Sequence, residues 1–217
     1  MTRLLLAGAT GLIGSAVLEQ LLADRRVSRI VAPTRRALAP HARLDNPITT
    51  IEALPHDADW WAVDGAICAL GTTRAQTPSP DAYRVIDHDY PLTIATLVRQ
   101  RGAKAFALVS SAGADAKSRF RYTRTKGELE EAIEHLGFPS LTIARPGFLG
   151  GRPKEERAME HAMATLLQLA GPILPASARI NPAATVAALL IDAALASAAG
   201  KRIITSAEIA RAAGRAR

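Results

Sequence analysis

Apolar runs and amphipathic stretches alternate along this chain. The segments "RLLLAG" (3–8), "SRIVAP" (28–33), "DGAICALG" (64–71), "KAFALVSS" (104–111) and "SLTIARP" (140–146) are short and almost wholly apolar. Such runs read as strands buried on both faces. Between them, 11–23, 80–101 and 118–136 repeat apolar residues at helical spacing, with Ile13, Val17 and Leu21 on one face of the first. Further helices are expected near 155–170 and 182–199, and "KRIITSAEI" (201–209) reads as a last strand leading into a terminal helix. Strands spaced by helices imply crossover units and an α/β fold with a mostly parallel sheet. Segment 36–60 has no clear period, and a short strand around "ITTIEA" is its best reading. "TPSPD" (77–81) and "GGRPKEER" (150–157) carry loop chemistry.

The first strand runs directly into "GATGLIG", with Gly8, Gly11 and Gly14. The first glycine permits a tight turn, the second lets a pyrophosphate approach the backbone, and the third lets the helix pack on the sheet. The helix start then directs free N–H groups at the phosphates. The alternative is a tight strand–helix turn without a ligand. About 20 residues past these glycines a ribose-binding acid is expected, but the chain reads "VAPTRRAL". Arg35 and Arg36 suit a 2′-phosphate instead. NADP(H) is therefore expected over NAD(H), the alternative being a pair of solvated loop arginines.

In helix 80–101, Tyr83, Asp87, Tyr90, Ile94 and Leu97 share one face. A carboxylate in such a stripe costs free energy unless it is paired, so Asp87 is either a site residue or sits at a wet edge. In 118–136, Tyr122, Lys126, Leu129, Ile133 and Leu136 share the inward stripe, while Glu128, Glu131 and Glu134 do not. The phenol and ammonium of "YTRTK" thus lie one turn apart on the same side. They follow the strand ending in Ser110 and Ser111, at the end of a parallel sheet where ligands sit.

The ordered motifs "GATGLIG", "LGTTR", "VIDHDY", "LVSSAGAD", "YTRTKGELE" and "ARPGFLGG" resemble the short-chain dehydrogenase/reductase superfamily. Within it they resemble the atypical branch related to the HIV Tat-interacting oxidoreductase-like protein. The resemblance covers nearly the whole chain. It implies a Rossmann doubly wound sheet of about seven strands, with NADP(H) as cofactor. It also implies hydride transfer between the nicotinamide and a small carbonyl or alcohol. Tyr122 would be the catalytic acid/base, Ser111 would polarise the carbonyl, and Lys126 would support the phenolate and hold the nicotinamide ribose. Thr10, Gly11, Leu12 and Ile13 would form the cofactor loop with Gly8 and Gly14. Arg35 and Arg36, Leu70 and Gly71, Pro146 and Leu149, and Arg157 would contact the cofactor further along. Two places depart from the usual superfamily pattern. Asp87 stands where dehydrogenases carry Asn, as it does in the atypical branch, and would pair with Lys126. Only ten residues separate Ser111 from Tyr122, fewer than usual.

Composition narrows the alternatives. The 217 residues fit one domain, expected over 1–217 with 147–200 as a small helical cap on the substrate side. Net charge is +7, from 27 Lys+Arg against 20 Asp+Glu, but the basic residues are dispersed and have no interleaved aromatics. A solvated surface is preferred to a nucleic-acid partner. No apolar stretch reaches the length of a membrane span, and no metal ligands are assigned. Cys68 is the lone cysteine. It reads as a buried small hydrophobe in a reducing, cytoplasmic setting. A monomer or homodimer is expected. The rival function is an NADPH-binding regulator or sensor with little turnover.

Overall fold

The computed structural model describes residues 2–72, 79–150 and 179–215. Strand β1 (Thr2–Ala7) leads through the glycine turn into α1 (Leu12–Ala23), then β2 (Val27–Val31) and the two-residue β3 (Leu44–Asp45). After β4 (Gly65–Cys68) come α2 (Pro80–Arg84), a π-helical turn at Val85–Asp89 and α3 (Tyr90–Gln100). Strand β5 (Ala105–Val109), α4 (Arg121–Glu134) and β6 (Ser140–Arg145) follow. The short β7 (Leu149–Gly150) and β8 (Asn181–Pro182) pair with each other, before α5 (Ala183–Ala196), β9 (Gly200–Thr205) and α6 (Ser206–Arg215).

Seven parallel strands form one sheet in the order β3-β2-β1-β4-β5-β6-β9. Neighbouring residues of the inner strands serve opposite faces. Leu4, Leu6, Ile30 and Ile67 meet α1, α5 and α6 in one core cluster. Leu5, Ala7, Val31, Ala66 and Cys68 meet α3, α4 and Trp61 in the other. This two-sided burial is why the strands are apolar throughout rather than alternating. The result is a doubly wound Rossmann sheet. The chain leaves β1 toward β2 on one side and returns at β4 on the other, so a crevice opens at the strand carboxyl ends between them.

Local chemistry sets several boundaries. Ser79 caps α2 by accepting from the Ala82 N–H at 3.1 Å, with Pro80 in the first turn. Thr205 and Glu208 make a reciprocal capping box: Glu208 Oε2 accepts from the Thr205 N–H at 2.8 Å, and Thr205 Oγ1 accepts from the Glu208 N–H at 3.3 Å. This box marks where the last strand passes into the terminal helix, the change expected within 201–209.

Three expectations are corrected. The helix expected over 80–101 is interrupted by the π turn, which widens the backbone around Asp87. The strand expected near "ITTIEA" is a single bridge, Thr34 to Ile48, followed by a 3-10 turn at Ile51–Ala53. The sheet's outermost strand lies at Leu44–Asp45 instead, where Arg29 Nε donates to Asp45 Oδ2 at 2.5 Å. Much of the region expected as a cap, 147–200, lies outside the described residues, as do the helix near 155–170 and most of both expected loops. Its described helix, α5, has Val186, Ala187 and Leu190 fully buried beside α1 in the main core. That part is one layer of the fold.

Candidate active site

The glycine turn is built as its spacing predicts. Gly8 has φ +85°, and a Cβ there would fall 2.7 Å from the Ala69 carbonyl oxygen. Only glycine takes this conformation freely. A Cβ on Gly14 would fall 1.9 Å from the Gly8 carbonyl oxygen, so the helix touches the turn backbone to backbone. Gly11 caps α1 without a side-chain hydrogen bond, and a Cβ there would meet only the Gly8 oxygen, at 3.5 Å. Thr10 and Gly11 are exposed and Leu12 is 43% exposed, whereas the Ile13 side chain is buried. Ile13 thus offers its backbone alone. An uncapped helix start beneath an open glycine surface fits a pyrophosphate.

Beside this turn a cleft is lined by Gly8, Pro33, Thr49, Thr50 and Leu70, among others. It leads to the end of β2, where Arg35 and Arg36 are exposed. Their turn is braced: buried Thr34 donates to the Arg36 carbonyl at 2.6 Å, and Asn46 Nδ2 donates to Thr34 Oγ1 at 2.8 Å. Glu52 lies within the field of Arg35 and accepts a short hydrogen bond from the Tyr90 hydroxyl. That bond first, then hydrogen bonds from its own backbone and from Thr50, and least of all the Arg35 charge, hold the Glu52 carboxyl below its ordinary range. Glu52 is a charged group near the arginines that the sequence reading did not identify.

Asp87 and Lys126 form the centre of the other half of the crevice. Lys126 Nζ is 2.7 Å from Asp87 Oδ1, with side chains 5% and 1% exposed. The wet-edge alternative for Asp87 is thereby excluded. Asp87 Oδ2 accepts from the Thr72 N–H at 2.9 Å. Oδ1 has no partner at hydrogen-bonding geometry, so the lysine contact is an ion pair off the preferred angle. Gly71 covers the pair: a Cβ there would lie 3.4 Å from Asp87 Oδ1 and 3.6 Å from Lys126 Nζ. Leu70 and Gly71 therefore bridge the glycine turn and the ion pair.

Tyr122 stands one turn before Lys126 but is 44% exposed, so the inward stripe expected over 118–136 begins at Lys126 rather than at the phenol. The reason is that α4 starts at Arg121, which puts Tyr122 in the first turn at the crevice mouth. Its ring lies 6.1 Å from that of Tyr83, which is buried. The two serines part ways. Ser110 is buried and donates a short hydrogen bond to Glu130. Ser111 is half-buried, and its hydroxyl makes a 3.3 Å bond to the Ala112 carbonyl. Glu130, 3% exposed, also receives Arg145 Nε at 3.0 Å and Nη2 at 2.5 Å. This side-chain network ties α4 to the ends of β5 and β6. Glu130 is four residues past Lys126 on the inward face, which marks it in the sequence as a buried carboxylate without naming its partners.

The loop joining Ser111 to Tyr122 is short because it lies directly on α4. A Cβ on Gly127 would fall 2.1 Å from the Ala116 nitrogen. Pro146 is buried, and its carbonyl accepts from the Ala112 N–H at 2.8 Å, which brings the β6 turn against this loop. Leu149 is 42% exposed on β7. Arg157 lies outside the described residues. Cys68, at the end of β4, is fully buried; burial pushes its thiol up to about 11, against the weaker opposing effects of a Leu70 backbone bond and the Lys126 charge.

Fold and crevice together define an α/β protein of the Rossmann type. The chain belongs to the HIM1 family, whose model matches residues 28–171. Among curated relatives, "Protein fmp52, mitochondrial" of Emericella nidulans is 38% identical over 174 residues, covering 74% of this chain and 72% of the relative. "Protein FMP52, mitochondrial" of Candida albicans is 35% identical, covering 72% and 71%. Among solved structures, the Bordetella bronchiseptica enzyme WbmH in complex with NAD+ superposes with a TM-score of 0.69 at 14% identity, over 95% of this chain and 76% of that one. A short chain dehydrogenase family protein from Francisella tularensis superposes at 0.63 with 15% identity, over 97% and 99%. At such identities the superpositions carry the fold. The cytoplasmic expectation is corrected by the relatives, which are named as mitochondrial proteins. A lone buried cysteine reports its packing and does not fix a compartment.

Proposed function

We propose that the protein is an NADP(H)-dependent oxidoreductase acting on a small carbonyl or alcohol through Ser111, Tyr122 and Lys126. The observation that carries this reading is Gly71. It connects an anion-accepting glycine turn to a buried lysine one helical turn from a phenol, within one crevice. The finer likeness to the Tat-interacting branch is part of the proposal and rests on motif order and on Asp87. The nicotinamide would supply or accept hydride. Tyr122 would pass a proton to or from the substrate oxygen, with the Ser111 hydroxyl donating to that oxygen. Lys126 would hold the nicotinamide ribose, and Arg35 and Arg36 would receive the 2′-phosphate. The substrate is a small molecule; neither nucleic acid nor membrane is part of the proposal, and the unit is a monomer or homodimer.

Titration with NADPH and NADH, read through the emission of Trp60 and Trp61, tests the cofactor. Tighter NADPH binding is expected, and Arg35→Ser with Arg36→Ser should remove the preference. Preference for NADH in the wild-type protein would sink the arginine assignment. On a carbonyl panel, Tyr122→Phe should abolish reduction, and survival of activity would remove Tyr122 from the chemistry.

A second reading is favoured by the Asp87–Lys126 pair. A carboxylate at 2.7 Å partly neutralises the ammonium that should support Tyr122. In this reading the protein is an NADPH-binding sensor with little turnover. Tight cofactor binding without activity across the panel would select it.

A further inference from the structure

The structure holds a second phenol at the site, and its hydroxyl makes no well-formed hydrogen bond among the described residues. Tyr83, on α2, is 5% exposed. Its hydroxyl oxygen is fully shielded, and although it lies within reach of the Asp87 carboxylate it makes no well-formed hydrogen bond among the described residues. A buried hydroxyl without an acceptor costs free energy, and phenylalanine would fill the same space without that cost. Four residues on, across the start of the π turn, stands Asp87, on the same inward side. Asp87 Oδ1 is likewise without a partner at hydrogen-bonding geometry. A donor without a well-formed bond and an acceptor held only by an off-angle ion pair therefore share one buried face, one turn apart.

We propose that Tyr83 is a positioning residue. When the crevice takes up a nicotinamide dinucleotide, the Tyr83 hydroxyl donates to Asp87 Oδ1 and so releases Lys126 Nζ to the cofactor ribose. This rests on the nucleotide-binding function proposed above. The exchange conserves satisfaction: Asp87 keeps the Thr72 N–H on Oδ2 and gains the phenol on Oδ1 as the ammonium turns away. Tyr83 suits the role of a donor that never gives up its proton. Burial first, then the charges of Asp87 and Tyr122 and the pull of the Asp87 carboxylate on the hydroxyl proton, push its pKa up. The same effects disqualify it as a proton carrier, since a second anion beside Asp87 is disfavoured.

The test is cofactor binding by calorimetry or tryptophan emission, with NADPH and NADH as probes, and no turnover is required. Tyr83→Phe removes only the hydroxyl. It should leave the unliganded protein as thermally stable as wild type or more so, and raise the cofactor Kd about tenfold, the scale of one hydrogen bond. In an Asp87→Asn background, where Lys126 is already released, the same change should alter Kd less than about twofold. Wild-type affinity in Tyr83→Phe overturns the proposal, as does an equal loss in both backgrounds. If the wild-type protein shows no saturable binding of either dinucleotide, the nucleotide-binding function itself fails and takes this inference with it, an outcome distinct from a silent Tyr83 variant.

Discussion

Lys126 Nζ lies 2.7 Å from Asp87 Oδ1, and neither side chain reaches solvent appreciably. This pair joins α4 to the π turn between α2 and α3 and sets the floor of the crevice. Removing one partner leaves the other buried and charged, the costly case. Lys126→Met is expected to destabilise the protein by about 3–5 kcal/mol, measured by urea unfolding at neutral pH. Adding Asp87→Asn should recover part of that loss, because a neutral amide still accepts from the Thr72 N–H.

The two adjacent serines should separate in a stability scan. Ser110→Ala removes a hydrogen bond to the buried Glu130 carboxylate, a loss of about 1.5–3 kcal/mol for a charged partner. Ser111→Ala removes only a 3.3 Å bond to a loop carbonyl and should leave the unfolding midpoint nearly unchanged. If activity is found, the order should invert, with Ser111→Ala the more damaging. Equal midpoints for the two variants would show that the Ser110–Glu130 bond contributes nothing.

Two glycines of the turn between β1 and α1 should fail in different ways. Gly14→Ala places a Cβ 1.9 Å from a carbonyl oxygen, so the backbone must shift at a cost of about 1–3 kcal/mol. Both thermal stability and cofactor affinity should fall. Gly11→Ala meets only one atom, at 3.5 Å. It should keep its melting temperature and lose affinity alone, because the methyl stands over the face offered to phosphate. Thermal melts paired with titrations read both effects.

Cys68 gives a pH prediction with a definite sign. Folding raises its pKa from 9.0 to about 11, mainly through burial. A raised value means the folded state favours the neutral thiol. That contribution is complete below pH 9 and is lost as pH climbs toward about 11. The stability difference between wild type and Cys68→Ala should therefore be constant up to about pH 9 and shrink above it. Urea midpoints at a series of pH values check this, and a difference that grows above pH 9 would contradict it.

Much of this was legible in the chain because its signals are local. The "GATGLIG" turn could be read residue by residue, since each glycine answers a contact within the same strand–turn–helix unit. Asp87 and Lys126 were readable as inward groups because a 3.6 period fixes which face a side chain takes. Other features were not local. The π turn at Val85–Asp89 has no composition signature. The exposure of Tyr122 depends on α4 starting at Arg121 rather than at 118, a boundary set by the packing of the preceding loop. The Ser110–Glu130–Arg145 network joins three elements, and no one of them announces the others. The short β3 edge at Leu44–Asp45 is stabilised by Arg29 across the sheet, so "ITTIEA" drew attention that belonged a few residues earlier.

The absence of a side chain at Gly127 has a consequence for selectivity. Loop 112–120 rests on α4 main chain against main chain, with 2.1 Å left for a Cβ that is not there. The front of the crevice therefore has no clearance to give. Any side chain at position 127 would have to lift this loop off α4, because the atoms it would meet are backbone. On the function proposed above, the loop beside the crevice is fixed in place like a jamb, since it can shift only by parting from the α4 backbone.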